Sequence, residues 1–192
     1  MYEQKNIFDN QIVDYINESK EEHPDSMLEN CDNWQVFYHL SSMRKSILNW
    51  YEFYPEAKVL EIGAGFGAVT GVLCDNCRYV TVVEKNPVRA GAIARRYKQR
   101  KNLEIIVADI NEFQCTEKYD YIVMLGIFEK ICCCDGKEKC DDLLNKFYGW
   151  LTPGGKLLFT ANNRAGIKNI CGYMVEEELG SFEGVNSDYY FY

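Results

Sequence analysis

From Val59 the chain reads Val59-Leu60-Glu61-Ile62-Gly63-Ala64-Gly65-Phe66-Gly67, and this stretch limits its fold more tightly than any other. Val59 to Ile62 reads as a buried strand. Glycines at alternate positions follow at once, and then a segment able to start a helix, Ala68 to Cys74. Strand, glycine turn and helix in that order open a βαβ nucleotide-binding unit. Without a Cβ the chain can turn sharply and bring its backbone against a ligand. Amides at the helix start can then donate to that ligand. The loop alone does not choose the ligand. Gly63, Gly65 and Ala68 also satisfy the dinucleotide fingerprint, so a nicotinamide-dependent oxidoreductase stays open here.

With 192 residues the chain is read as one domain with room for a substantial core. Its 21 basic against 29 acidic side chains leave a net charge of −8. That balance argues against non-specific nucleic-acid binding, which needs basic surface. No apolar run approaches the ~20 residues needed to cross a bilayer, and Met1 to Lys5 lacks the apolar start of a signal peptide. A soluble, cytoplasmic protein is expected. The 9 cysteines include Cys74-x-x-Cys77 and Cys132-Cys133-Cys134 with Cys140 beyond. Neither group has the paired spacing of a structural zinc site, so reduced thiols and no metal are expected.

Residues 1–57 read as a helical lead. Ile7, Phe8, Ile12, Tyr15 and Ile16 recur at helical spacing, giving a helix over Phe8 to Ser19. Glu18 to Asp32 is polar and interrupted by Pro24, which suits a loop. Trp34 to Tyr54 is aromatic-rich and helical, stopped before Pro55. These helices are expected to cover one face of a sheet. Within them, Arg44 is a candidate ligand contact. His39 is either an ordinary histidine or a base.

Downstream, Tyr79 to Glu84 is a β-branched, buried strand ending in an acid placed to hold both hydroxyls of a ribose. Asn86-Pro87 starts a helix carrying Arg89, Arg95, Arg96, Lys98, Arg100 and Lys101. The acidity of the whole chain favours a solvated face over a nucleic-acid patch for that run. Leu103 to Ile110 is a third strand with Asp109 at its tip, where the carboxylate can accept from an adenine amine and Ile110 can pack on the ring. Tyr119 to Gly126 is a fourth, facing the same crevice. Leu151-Thr152-Pro153-Gly154-Gly155 leads into a fifth, Lys156 to Ala161.

Taken together, these features resemble a class I S-adenosylmethionine-dependent methyltransferase. The resemblance rests on Glu61-x-Gly63-x-Gly65-x-Gly67, Glu84, Asp109 and Leu151-x-Pro153-Gly154-Gly155 in the right order. It implies a three-layer α/β Rossmann-like sandwich over residues 58–192, with a mainly parallel sheet of strand order 3-2-1-4-5. It implies S-adenosylmethionine as cofactor. Gly63, Ala64 and Gly65 would line its methionine part, Glu61 and the Leu125 carbonyl would face the amine, and Arg44 would contact the cofactor from the lead. Glu84 and neighbouring Lys85 would lie at the ribose, and Asp109 and Ile110 at the adenine. A nicotinamide enzyme needs neither Asp109 nor the Pro-Gly-Gly turn.

Val59 to Thr70 is also similar to ribosomal-RNA adenine dimethyltransferases. Those enzymes carry an Asn/Asp-Pro-Pro-Tyr-like motif after strand four, where this chain has Leu125-Gly126-Ile127-Phe128-Glu129. Adenine methylation is therefore not expected. Asn162-Asn163-Arg164-Ala165-Gly166-Ile167-Lys168 is similar to methyltransferases associated with bacterial surface-glycan genes. That implies O-methylation of a sugar or other small-molecule hydroxyl, with a small-molecule or glycan acceptor and neither nucleic acid nor membrane as partner. Glu129 is the first candidate base, with His39 and Asp188 as alternatives. A non-catalytic cofactor-binding module of a larger protein is the competing reading. The usual sheet of the family ends in a hairpin of strands six and seven. Here Ile167 to Leu179 is helical in pattern, and Ser181 to Tyr192 offers at most one short strand. A C-terminally truncated domain is expected, with strand five an edge open to a homodimer partner or an attached domain.

Overall fold

A computed structural model describes residues 2–29, 31–128, 137–161 and 167. In chain order the elements are α1 (Tyr2–Glu18), α2 (Asp25–Leu28), α3 (Trp34–Leu40), a 3-10 turn (Ser42–Ile47), β1 (Lys58–Ile62), α4 (Thr70–Asn76), β2 (Tyr79–Glu84), α5 (Pro87–Arg96), β3 (Leu103–Val107), β4 (Tyr119–Met124), α6 (Lys137–Trp150) and β5 (Leu151–Phe159). All pairings in the 5-stranded sheet are parallel, in the order β3-β2-β1-β4-β5. This is the expected Rossmann-like arrangement.

Side chains alternate between the two sides of each strand, and both sides are covered. Val59, Val80, Val82 and Val123 pack with Leu73 of α4, Ile93 of α5 and Tyr97 just beyond it. Leu60, Ile62, Val83, Ile122 and Met124 pack on the other side with Leu143, Phe147 and Trp150 of α6. Parallel neighbours require right-handed crossovers, so the chain places helices on one side while stepping from β1 to β3 and on the other from β4 to β5. Burial on both faces explains why β1, β2 and β4 read as nearly unbroken apolar runs. The reversal of direction between β1 and β4 opens the crevice at the strand tips.

The lead differs from expectation. Its first helices do not lie on the sheet. Ile12, Ile16, Leu28, Val36 and Leu40 form a separate core with Phe66 of the glycine loop and Ala92 of α5. Only the stretch after them, with Leu48, Phe53 and Ala57, joins the sheet's core. The single helix expected over Trp34 to Tyr54 is broken at Ser41, which is extended (φ −63°, ψ 140°). Its hydroxyl accepts from the Met43 amide at 3.2 Å, and Asp25 accepts from the Ser42 amide at 2.9 Å. The presumed loop holds α2, which starts directly after Pro24.

Half of the basic run on and just after α5 docks instead of facing water: Arg95, Lys98 and Lys101 are exposed as expected, whereas Arg89, Arg96 and Arg100 are not. Arg89 pairs with Asp9 of α1 through Nε at 3.0 Å and Nη2 at 2.9 Å. Arg100 grips the Glu22 carboxylate at 2.6 and 2.7 Å, and Arg96 is buried. At Arg89, Arg96 and Arg100 the positive charge is taken up by acids and carbonyls, most of them from the lead.

β5 starts earlier than expected. Leu151 pairs with Tyr119 and Lys156 with Tyr121, so the Pro-Gly-Gly turn is a bulge inside the strand. Asp120 holds it by accepting from the Thr152 hydroxyl at 3.0 Å. Among the described residues β5 ends the sheet. No helix among them is long and apolar enough to cross a membrane, and no group of metal-binding side chains gathers. Cys74 and Cys77 are buried free thiols, which burial pushes up to about 12. The Cys132 to Cys134 triplet, Glu129, Asn163, Arg164, Asp188 and the expected C-terminal helix and strand beyond Ile167 lie outside the described residues.

Candidate active site

The glycine loop leaves β1 with its first amide tied back to the sheet, Gly63 N–H donating to the Val83 carbonyl at 2.8 Å. Gly63 and Gly65 both sit in the left-handed region, at φ +67° and +61°. A Cβ on Gly63 would lie 2.3 Å from Ile127 Cδ1, so the loop and the β4 exit are in direct contact there. A Cβ on Gly65 would meet nothing within 4 Å. Glycine at 65 therefore serves the turn and leaves its backbone open to a ligand.

Glu84, 6% exposed at the tip of β2, stitches this loop to the next crossover. One carboxylate oxygen accepts from the Gly65 amide at 2.9 Å and the other from the Asn86 amide at 2.9 Å. Each oxygen keeps acceptor capacity for a further donor. At the neighbouring tip, Asp109 accepts from Lys85 Nζ at 2.6 Å and from the Asn111 amide at 2.9 Å. Those bonds hold its carboxyl below the usual carboxylate range. Glu84 closes β2 opposite Val107, and Asp109 follows two residues beyond Val107, so both acids lie at the same end of the sheet.

Glu61 lies deeper, 3% exposed, and accepts from the Thr70 hydroxyl at 2.7 Å. Burial pushes its carboxyl up to about 7, with the Glu84 charge adding and the Thr70 bond opposing. Thr70 escaped the sequence reading, although a buried strand acid must find a donor and Thr70 offers the first hydroxyl after the loop. Ile110 is buried among Leu60, Ile62 and Val83 rather than spread on the surface. Leu125 is half-buried against the opposite core. Beyond it Gly126 takes φ +74°, and its amide donates to the Thr160 hydroxyl at 2.8 Å.

The lead brings its own groups to the loop. His39 stands edge-on between the rings of Tyr38 and Phe66, each 5.2 Å away. Burial and the charges of Arg89, Arg44 and Arg96 lower its pKa to about 4, against the pull of Asp9. The Arg44 guanidinium lies over Tyr38 at 4.1 Å, and its Nε is buried without a hydrogen-bond partner among the described residues. Arg89 lies 5.3 Å from the Phe66 ring. The Asp9–Arg89 pair gave no sequence signal, because its members are far apart in the chain.

This donor set fits an adenosyl ligand. An open backbone cradle is followed by acceptors at the tips of β2 and β3, with an unpartnered guanidinium nitrogen in the lead. A family model described as Ribosomal RNA adenine dimethylase matches residues 30–158, more than half the chain. Ribosomal RNA small subunit methyltransferase A of Chlorobium chlorochromatii (strain CaD3) is 46% identical over 57 residues, 30% of this chain and 22% of that protein. Nodulation protein S of Rhizobium tropici is 28% identical over 105 residues, 55% of this chain and 43% of that protein. The matched stretches thus span less than half of either relative. Among solved structures, the N-methyltransferase NodS from Bradyrhizobium japonicum WM9 shares the fold, with a TM-score of 0.56 and 24% identity over 64% of this chain and 68% of that one. The likeness to surface-glycan methyltransferases rests on the sequence motif alone, and the nicotinamide alternative falls away. The chain belongs to the ribosomal RNA adenine dimethylase family of S-adenosylmethionine-dependent methyltransferases.

Proposed function

We propose that the chain methylates a hydroxyl or amine of a small polar molecule, with sugars the leading class, rather than an adenine of ribosomal RNA. The β4 exit carries this reading. An extruded base is read by hydrogen bonds to its edge and by stacking between flat or apolar side chains. Here Leu125, Gly126, Ile127 and Phe128 offer no polar side chain, and the Gly126 amide is taken by Thr160. Ile127 is wedged against Gly63, and Phe128 stacks on Phe159 at 4.4 Å between ring centres. The net charge of −8 also disfavours an RNA backbone. The name of the N-methyltransferase NodS keeps an amine beside the hydroxyl.

S-adenosylmethionine, when bound, supplies a sulfonium-activated methyl group. In this reading Glu84 accepts from the ribose hydroxyls and Asp109, with Ile110 and Lys85 beside it, holds the adenine. The backbone of Gly63, Ala64 and Gly65 lines the methionine part. Glu61 and the Leu125 carbonyl face its amine, and the Nε of Arg44 faces its carboxylate. His39, neutral at pH 7, is a weak base with a pKa of about 4. Glu129, which follows β4 in the sequence, stays the first candidate base for a hydroxyl, whereas an amine that arrives deprotonated needs none.

Methyl transfer from labelled S-adenosylmethionine to nucleotide sugars, glycans and small amines, with small-subunit ribosomal RNA in parallel, tests this. Label on the small acceptors is expected. Label on the RNA alone would overturn the reading in favour of the activity in the family's name. No label on any acceptor, with cofactor still bound, would favour a non-catalytic module.

A further inference from the structure

Arg96 is 7% exposed, and among the described residues its guanidinium hydrogen-bonds to carbonyls and a histidine rather than to a carboxylate. Its partners are neutral and come from separate segments. Nη1 donates to the Phe66 carbonyl at 2.9 Å and to the His39 carbonyl at 3.1 Å. Nη2 donates to the Leu40 carbonyl at 3.2 Å and to His23 Nδ1 at 2.9 Å. Nε donates to the Glu22 carbonyl. Glu22 and Asp25 act on its charge only from beyond contact, and a buried guanidinium held that way adds little stability over a well-packed apolar side chain. What it does supply is a rigid planar fork that fixes several carbonyls relative to one another. Two of those carbonyls end α3, where the helix dipole favours a cation. A third belongs to Phe66, between Gly65, which holds Glu84, and Gly67, whose carbonyl accepts from Tyr97 at 2.5 Å.

We propose that Arg96 is a positioning residue for cofactor binding. It locks the glycine loop to the lead, so that Gly63 and Gly65 are held in register with His39 and Arg44. The inference rests on the cofactor assignment and is independent of the acceptor.

The test is calorimetric titration with S-adenosylhomocysteine of wild type, Arg96→Lys, Arg96→Met and Arg100→Met, each shown folded by circular dichroism. Arg100 is the control, because it grips the Glu22 side chain of the same segment and Asp75 of α4 but not the loop. Both Arg96 variants are expected to weaken binding roughly tenfold or more. Arg100→Met should lower the melting temperature while affinity stays within about twofold. Wild-type affinity in the Arg96 variants, or an equal loss in Arg100→Met, would overturn the proposal. A wild type that binds nothing would sink the cofactor assignment itself, and the proposal with it. Hydrogen exchange on wild type needs no variant to fold. S-adenosylhomocysteine should slow exchange over residues 22–28 and 34–41 as well as 63–67, and protection confined to 63–67 would overturn the inference.

Discussion

Glu61 keeps a proton that an ordinary carboxyl would release. Its folded pKa is raised from 4.5 to about 7. Stability from the protonated form is therefore complete below about pH 4.5 and is lost as pH rises through about 7. The loss at pH 8 is ~3 kcal/mol for a fully buried group. Urea melts of wild type and Glu61→Gln at pH 5 and pH 8 check this: the wild type should fall relative to the variant at pH 8. The comparison isolates Glu61, since His23 and His39, both lowered to about 4, lose stability in the opposite direction as pH falls. The two loop glycines should also separate. Gly65→Ala carries only the left-handed backbone cost of roughly 1–2 kcal/mol. It places a methyl in the open cradle, so S-adenosylhomocysteine affinity should drop more than stability. Gly63→Ala adds a methyl that Ile127 must move to admit, so it should cost more stability than Gly65→Ala in denaturant melts.

At the scale of elements, α5 begins where Asn86 accepts from the Val88 amide at 2.9 Å, with Pro87 at the first position. Asn86→Ala should cost about 1 kcal/mol in a denaturant melt. That helix start was legible, as were β1, β2 and β4, because burial on both faces leaves long apolar runs; β3 and β5 were legible in place but not in extent. The positions of the acids were legible because the strands fix them: Glu61 inside β1, Glu84 at the end of β2 and Asp109 two residues past β3. The face of α5 was not. A guanidinium at helical spacing reads the same whether water or a buried carbonyl receives it, and the partners of Arg89, Arg96 and Arg100 lie far earlier in the chain. The break at Ser41 was hidden for a related reason. Aromatic residues at helical spacing continued past it, while the competing hydroxyl cap is a local choice fixed by Asp25 from another segment.

Across the whole molecule, two bodies of structure meet at one loop. The sheet supplies the acids and the turn, and the lead, anchored on α5, brings His39, Arg44 and the aromatic neighbours of Phe66 to its far side. In the function proposed above, chain acidity and the apolar β4 exit favour small acceptors. All of that depends on the crevice being an S-adenosylmethionine site. The most direct test is calorimetric titration of wild type, Glu84→Ala and Asp109→Ala with S-adenosylhomocysteine, with NAD as control. Micromolar binding by wild type, its loss in both folded variants and no response to NAD are predicted. Binding of NAD instead, or undiminished binding of S-adenosylhomocysteine by both variants, would contradict the account.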